Sequence, residues 1–235
     1  MQLAGYSYRY AALSDLVSLP MLLRAELRGD WLSSREQAIA AELNDRGRRT
    51  AWLAGRWLLK KLLAERLKAS PLSEIEVFSV DAGGRQVRPR AVLHGRSLAW
   101  SLALSHSEHG VLAAVAPGQI ALGVDLVSAE IELTPGFQAL WFTPQERNWL
   151  ACDRSRHPAT VWAVKEAAYK ALNHGEAFAP RQLQVASRVA GEFTCRTSDA
   201  AGPECRVRLW RTAQAELALL ATCPQSPIAF GAHHD

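Results

Sequence analysis

The residues most able to do chemistry in this 235-residue chain fall in one ten-residue string, Trp162-Ala163-Val164-Lys165-Glu166-Ala167-Ala168-Tyr169-Lys170-Ala171. Residues four apart share a helix face, so a helix here aligns Trp162, Glu166 and Lys170 and leaves Lys165 beside Glu166. An exposed Glu-to-Lys pair of this kind supports a helix by ~0.2–0.5 kcal/mol and needs no function. The alternative is a carboxylate that holds a metal while the lysine approaches a phosphate, the division of labour that phosphate transfer requires. A second acid lies upstream in Gly123-Val124-Asp125-Leu126-Val127-Ser128, where an apolar strand ends in a single Asp. Alone, such an Asp is a turn residue. Paired with Glu166 it makes a donor set suited to Mg²⁺, which takes one or two protein carboxylates and fills its other positions with water and phosphate oxygens.

Two further segments carry candidates. Leu104-Ser105-His106-Ser107 follows the apolar run Leu98–Leu104. Its hydroxyls and imidazole can donate hydrogen bonds to phosphate oxygens, although a plain turn explains them equally. No glycine-flanked nucleophile elbow points to a hydrolase. In Phe142-Thr143-Pro144-Gln145-Glu146, Thr143 reads as an N-cap, Pro144 as the first helical residue and Glu146 as the closing acid of a capping box. Glu146 is therefore both a cap and a candidate general base.

The elements that must position these residues are legible from periodicity. Tyr6, Tyr8 and Tyr10 alternate as in a strand, and Asp15 to Leu27 carries apolar residues at helical spacing. A long helix is expected from around Thr50, with Leu59, Leu62, Leu63 and Leu67 as its stripe, ending before Ser70-Pro71. Strand-length apolar runs follow at Ile75–Val80, Leu98–Leu104, Val111–Ala116 and Ile120–Val127. Helices are expected over Pro144–Leu150 and Ala159–Leu172, the latter closed by Asn173-His174-Gly175. Strands return at Gln182–Arg188, Cys205–Arg211, Glu216–Thr222 and Ile228–Gly231, with a small-residue loop over Thr197–Pro203. Helices then strands, twice over, imply an α+β protein of two similar lobes, residues 1–117 and 118–235, meeting near Pro117-Gly118.

Composition narrows the class. Hydrophobic residues make up 49% and charged residues 21%, the balance of a folded globular chain. Neither a signal peptide nor a membrane-length apolar run is visible, so a cytoplasmic location is expected. Cys152, Cys195, Cys205 and Cys223 form no Cys-x-x-Cys pair and have no histidine at zinc spacing, and are read as reduced. Net charge is +4, and Arg46, Arg48, Arg49, Arg56, Lys60, Lys61, Arg66 and Lys68 crowd the long helix, where Glu65 is the only acid, favouring an anionic partner. A nucleic-acid-binding module would use exposed aromatics among such basic residues. Trp52, Trp57, Trp141, Trp149 and Trp162 instead sit in apolar patterns.

These pieces in this order, with Arg49 and Ala54-Gly55-Arg56-Trp57-Leu58-Leu59-Lys60 upstream, resemble the 4'-phosphopantetheinyl transferase superfamily, in particular its larger two-lobed branch. The specific signal is Gly-Val-Asp followed some forty residues later by Trp-x-x-Lys-Glu-x-x-x-Lys. The resemblance implies a Mg²⁺-dependent transfer of the phosphopantetheine arm of coenzyme A to a serine of an acyl or peptidyl carrier protein. It further implies Asp125 and Glu166 as metal ligands, Lys170 on the pyrophosphate, and Lys165 just before the metal acid in the same motif. Ser105 and His106 would lie against the phosphorylated adenosine end, with Arg49, Arg56 and Arg85 in cofactor-binding regions. Glu146 matches the acid proposed in relatives as the serine's base. Family members of this branch place the cofactor between halves of one chain, so a monomer is expected, and neither nucleic acid nor membrane is an expected partner. The sequence departs from the pattern twice. Arg85 stands in Gly84-Arg85-Gln86 where relatives have proline after the basic residue, and Val127 replaces a second acid two positions after Asp125.

Overall fold

The computed structural model describes residues 5–13, 31–68, 71–80, 86–153, 156–172, 179–189, 191–197, 204–213 and 215–222. The helix expected over Asp15 to Leu27, Arg85, the stop at Asn173-His174-Gly175 and the strand Ile228–Gly231 lie outside these residues.

The two strands with the most continuous apolar sequence, β6 (Gly110–Pro117) and β7 (Ala121–Ser128), lie at the centre because both of their faces are covered. On β6, Val111, Ala113 and Val115 face a core built with helix α2 (Arg46–Leu67). Leu112, Ala114 and Ala116 face the opposite way, onto Leu122, Val124 and Leu126 of β7. The far side of β7 packs under helix α5 (Pro158–Leu172). The result is four layers: helix, sheet, sheet, helix. Because strand side chains alternate, Gly123, Asp125 and Val127 all belong to the face of β7 that lies under α5.

β1 (Ser7–Ala12), β6 and β5 (Trp100–His106) form one sheet in the order β1-β6-β5. β8 (Leu183–Val189), β9 (Glu192–Thr197), β10 (Cys205–Arg211) and β11 (Ala215–Thr222) join β7 in the order β7-β11-β10-β9-β8. β2 (Ile75–Val80), β3 (Gln86–Leu93) and the short β4 (Arg96–Ser97) form a third sheet. Every described strand pair is antiparallel. In the sheets that begin with β1 and with β7, the first strand pairs with a strand roughly a hundred residues later, Arg9 opposite Ala113 and Asp125 opposite Ala218.

The long helix α2 starts from Asp45, whose side chain accepts the Arg48 N–H at 2.6 Å, and ends at Lys68 in the left-handed conformation, φ 53°. Two helices the periodicity did not announce are α1 (Ser34–Glu42) and α3 (Pro135–Trp141). The helix expected at Pro144 is α4 (Pro144–Ala151). Strands β3, β4 and β9 were likewise not expected. β3 reads Gln-Val-Arg-Pro-Arg-Ala-Val-Leu, and its proline falls where the β2–β3 register slips between Phe78 and Val80, the irregularity that lets a strand carry proline.

Candidate active site

The close approach of α5 to β7 follows from glycine and alanine. A Cβ on Gly123 would stand 2.1 Å from the Ala167 carbonyl oxygen and 2.6 Å from the Ala171 nitrogen, so the helix backbone rests directly on the strand there. Only glycine permits this contact. It sets Glu166 and Lys170, one helical turn apart, beside Asp125 on the strand below.

Three charged groups meet at one point. The Lys170 ammonium lies 2.5 Å from Asp125 Oδ1 and 3.4 Å from Glu166 Oε2. Ser105, on the neighbouring strand β5, donates its hydroxyl to Asp125 Oδ1 at 2.9 Å and accepts the Leu126 N–H at 3.3 Å, which fixes the carboxylate's orientation. His106 follows at the rim. These side chains, with Val127, Ile131 and Trp162, line a cleft of about 500 Å³.

Electrostatics distinguish the members. Burial opposes the charge on Lys170, but Asp125 and Glu166 outweigh it and hold its pKa above the ordinary lysine value. Glu166 is pushed the other way for a carboxyl: burial raises its pKa, and the Asp125 charge adds to that against the pull of Lys170. Two carboxylates so close favour a further cation. His106 lies below the ordinary histidine value, through desolvation and the positive charges of Lys170 and Arg48. It is therefore a neutral donor at pH 7.

The donor set fits a hard divalent ion. Asp125 and Glu166 converge on a position that a single ammonium now bridges, and two carboxylates are what Mg²⁺ takes from a protein. No group of three or more His, Cys, Asp or Glu suited to a metal exists among the described residues.

Three expected site residues are turned away from this cleft. Glu146 is 2% exposed and engaged by three donors: the Thr143 N–H at 2.8 Å, the Val185 N–H at 2.7 Å and Lys165 Nζ at 2.7 Å. Lys165 is 0% exposed and also donates to the Trp141 and Pro180 carbonyls. Helical geometry explains the separation, since consecutive residues point about a third of a turn apart and Glu166 can face the cleft only if Lys165 faces the core. Arg56 is buried, stacked 4.8 Å over Trp52 and bonded to Ser79 Oγ at 2.6 Å, and burial lowers its pKa to about 10. Arg49 is half-buried in the first turn of α2 and is not among the residues lining the cleft.

Two basic residues near the cleft were not assigned to the site from sequence: Arg48, counted only in the basic run of the long helix, and Arg88. Arg48, exposed in the same turn of α2, lies near enough to His106 to bias its protonation. Arg88, followed by Pro89, is the basic-residue-then-proline pair that Arg85 lacked, and it donates to the Ala171 carbonyl at the end of α5 at 2.8 Å. The proline was the available signal.

Residues 121–224 match the model of the 4'-phosphopantetheinyl transferase superfamily. The matched segment runs from β7 to β11 and so includes Asp125, Glu166 and Lys170 but not Ser105, His106 or α2. Among solved structures, the chain is similar to a holo-(acyl-carrier-protein) synthase from Bacillus anthracis in complex with CoA (3',5'-ADP). The two are 22% identical, the match covers 48% of this chain and 94% of that one, and the TM-score is 0.38. No curated protein matches the sequence.

Proposed function

We propose, from the match of residues 121–224 to the model of the 4'-phosphopantetheinyl transferase superfamily, that this chain transfers 4'-phosphopantetheine from coenzyme A to a serine of an acyl or peptidyl carrier protein, releasing adenosine 3',5'-bisphosphate. The observation that carries the proposal is the convergence of Asp125 and Glu166 on Lys170 in a cleft walled by Ser105 and His106. Asp125 and Glu166 would hold Mg²⁺, which when bound supplies neutralising charge to the pyrophosphate. Lys170 donates to the same oxygens, where its elevated pKa keeps it cationic. Ser105 fixes the Asp125 carboxylate, and His106, with Arg48 beside it, supplies donors for the phosphates at the adenosine end. Positioning and charge then provide most of the rate, since the attacking serine oxygen and the leaving bisphosphate need little covalent help.

On this reading the chain is a monomeric cytoplasmic enzyme of two similar lobes, residues 1–117 and 118–235. Its basic surplus aids encounter with an acidic carrier. Val127, whose buried side chain lines the cleft on the Asp125 side of β7, favours a second reading: a relative that binds coenzyme A without turnover, for want of a third acid.

The test is intact-mass spectrometry of an apo carrier protein incubated with this chain, coenzyme A and Mg²⁺. The expected result is gain of one phosphopantetheine, lost with EDTA and reduced on the order of 10²-fold or more by Asp125→Ala. Coenzyme A binding with no mass gain across several carriers would establish the idle relative instead.

A further inference from the structure

We infer that Glu146 and Lys165 are positioning residues: a buried strut that seats α5, and with it Glu166, rather than a proton-accepting pair. The inference rests on the transferase reading for its activity measurements and on geometry for its argument.

The chain contains the same strut twice. Glu36 closes a capping box with Ser33 at the start of α1, accepting the Ser33 N–H at 2.9 Å and, through its other oxygen, the Val77 N–H of β2 at 3.1 Å. Lys60, in the middle of α2 and fully buried, pairs with Glu36 and donates to the Trp31 carbonyl at 2.7 Å. Glu146 does the same at the start of α4, with Thr143 in place of Ser33 and Val185 of β8 in place of Val77. Lys165, in the middle of α5, takes the part of Lys60, and the Trp141 carbonyl that of Trp31. Each strut ties three elements to one ion pair: a short capped helix, a long helix and the strand that follows it.

The first copy, among the described residues, stands beside no pair of carboxylates that could hold a metal. Strand register places Arg9 where the second half has Asp125, since both stand opposite an alanine that is the fourth residue of the returning strand. Five residues after each strut lysine stand Glu65 and Lys170. Each bridges to its strand partner, Glu65 to Arg9 at 3.1 Å and Lys170 to Asp125, with the charges exchanged. The place of Glu166 is held by Lys61. A half with Arg9, Lys61 and Glu65 offers no pair of carboxylates to a metal, yet it keeps the buried Glu–Lys pair. The reason for the pair must be common to both halves, and seating a long helix on its sheet is that reason.

The two copies form a built-in control. Glu36→Gln and Glu146→Gln should lower the urea midpoint of the metal-free protein by similar amounts. In the double variants Glu36→Gln/Lys60→Met and Glu146→Gln/Lys165→Met, no unmatched ammonium stays buried and much of that loss should return. Mn²⁺ titration followed by electron paramagnetic resonance separates position from mere stability. Glu146→Gln should weaken Mn²⁺ binding several-fold and the double variant partly restore it, whereas Glu36→Gln leaves it unchanged. The acid limb of the transfer pH profile should stay in place in Glu146→Gln. Should that variant not fold, the double variant carries the same readings. The inference fails if Mn²⁺ binding is indifferent to Glu146. It also fails if transfer drops about 10²–10⁴-fold in the stable double variant with loss of the acid limb, the mark of a general base. Absence of transfer by the wild-type chain would overturn the proposed function alone, because unfolding and Mn²⁺ binding still decide the strut.

Discussion

At the scale of single residues, the cleft trades stability for chemistry. Glu166 has a pKa raised by burial and by Asp125, so its charged form costs stability at neutral pH. That cost is relieved as pH falls through the raised value and is gone below the ordinary 4.5. Glu166→Gln should therefore be more stable than wild type at pH 7 while losing transfer, and urea midpoints measured from pH 8 to 4 should show the gap closing. Val127 offers the converse change. It shares a strand face with Asp125, so Val127→Glu should lower the Mg²⁺ concentration for half-maximal transfer; an unchanged metal titration would refute that. The meeting of Asp125, Glu166 and Lys170 was legible in sequence only in part: i, i+4 spacing puts Glu166 and Lys170 on one helix face, while Asp125 joined them through the resemblance that links Gly-Val-Asp to Trp-x-x-Lys-Glu-x-x-x-Lys. The inward turn of Glu146, Lys165 and Arg56 was not legible, since a charged residue in a helix normally faces water and only the partner across the fold, Val185 or Ser79, reveals otherwise.

At the scale of elements, the contact between α5 and β7 is the piece on which the cleft depends. Gly123→Ala would drive a methyl into the Ala167 carbonyl and the Ala171 nitrogen, neither of which can rotate away, and should cost roughly 1–3 kcal/mol. Urea denaturation should show a lower midpoint with unchanged slope, and transfer should fall because Glu166 and Lys170 rise off Asp125. Elements with an unbroken period, such as α2, β2 and β10, were read from sequence to within a few residues. Those missed had mixed signals: β3 carries proline and two arginines, and α3 is seven residues long. The duplicated strut was also in plain view. Trp31-Leu32-Ser33-Ser34-Arg35-Glu36 parallels Trp141-Phe142-Thr143-Pro144-Gln145-Glu146, and Trp57-x-x-Lys60 parallels Trp162-x-x-Lys165. Unequal spacing between the two strings, twenty-four residues from Glu36 to Lys60 against nineteen from Glu146 to Lys165, hides the match from any search at a fixed period.

At the scale of the whole molecule, the thiols report opening. Cys195 and Cys205 stand opposite each other on β9 and β10, buried, and burial above all pushes the Cys195 thiol up to about 12. Alkylation followed by peptide mapping should mark exposed Cys152 at once and Cys195 and Cys205 only at the rate of global unfolding. Labelling of Cys195 at the speed of Cys152 would mean that the second sheet opens independently. The pairing of early with late strands bears, finally, on how the protein is made. On a ribosome, β1 emerges long before β6, and β7 waits for β11 until residue 222 has been added. Until then β7, which stands at the end of its sheet even in the finished fold, has no partner strand at all, and the cleft beside Asp125 is incomplete. On the proposed function, a nascent chain would acquire a complete cleft for coenzyme A only once β11 had paired with β7.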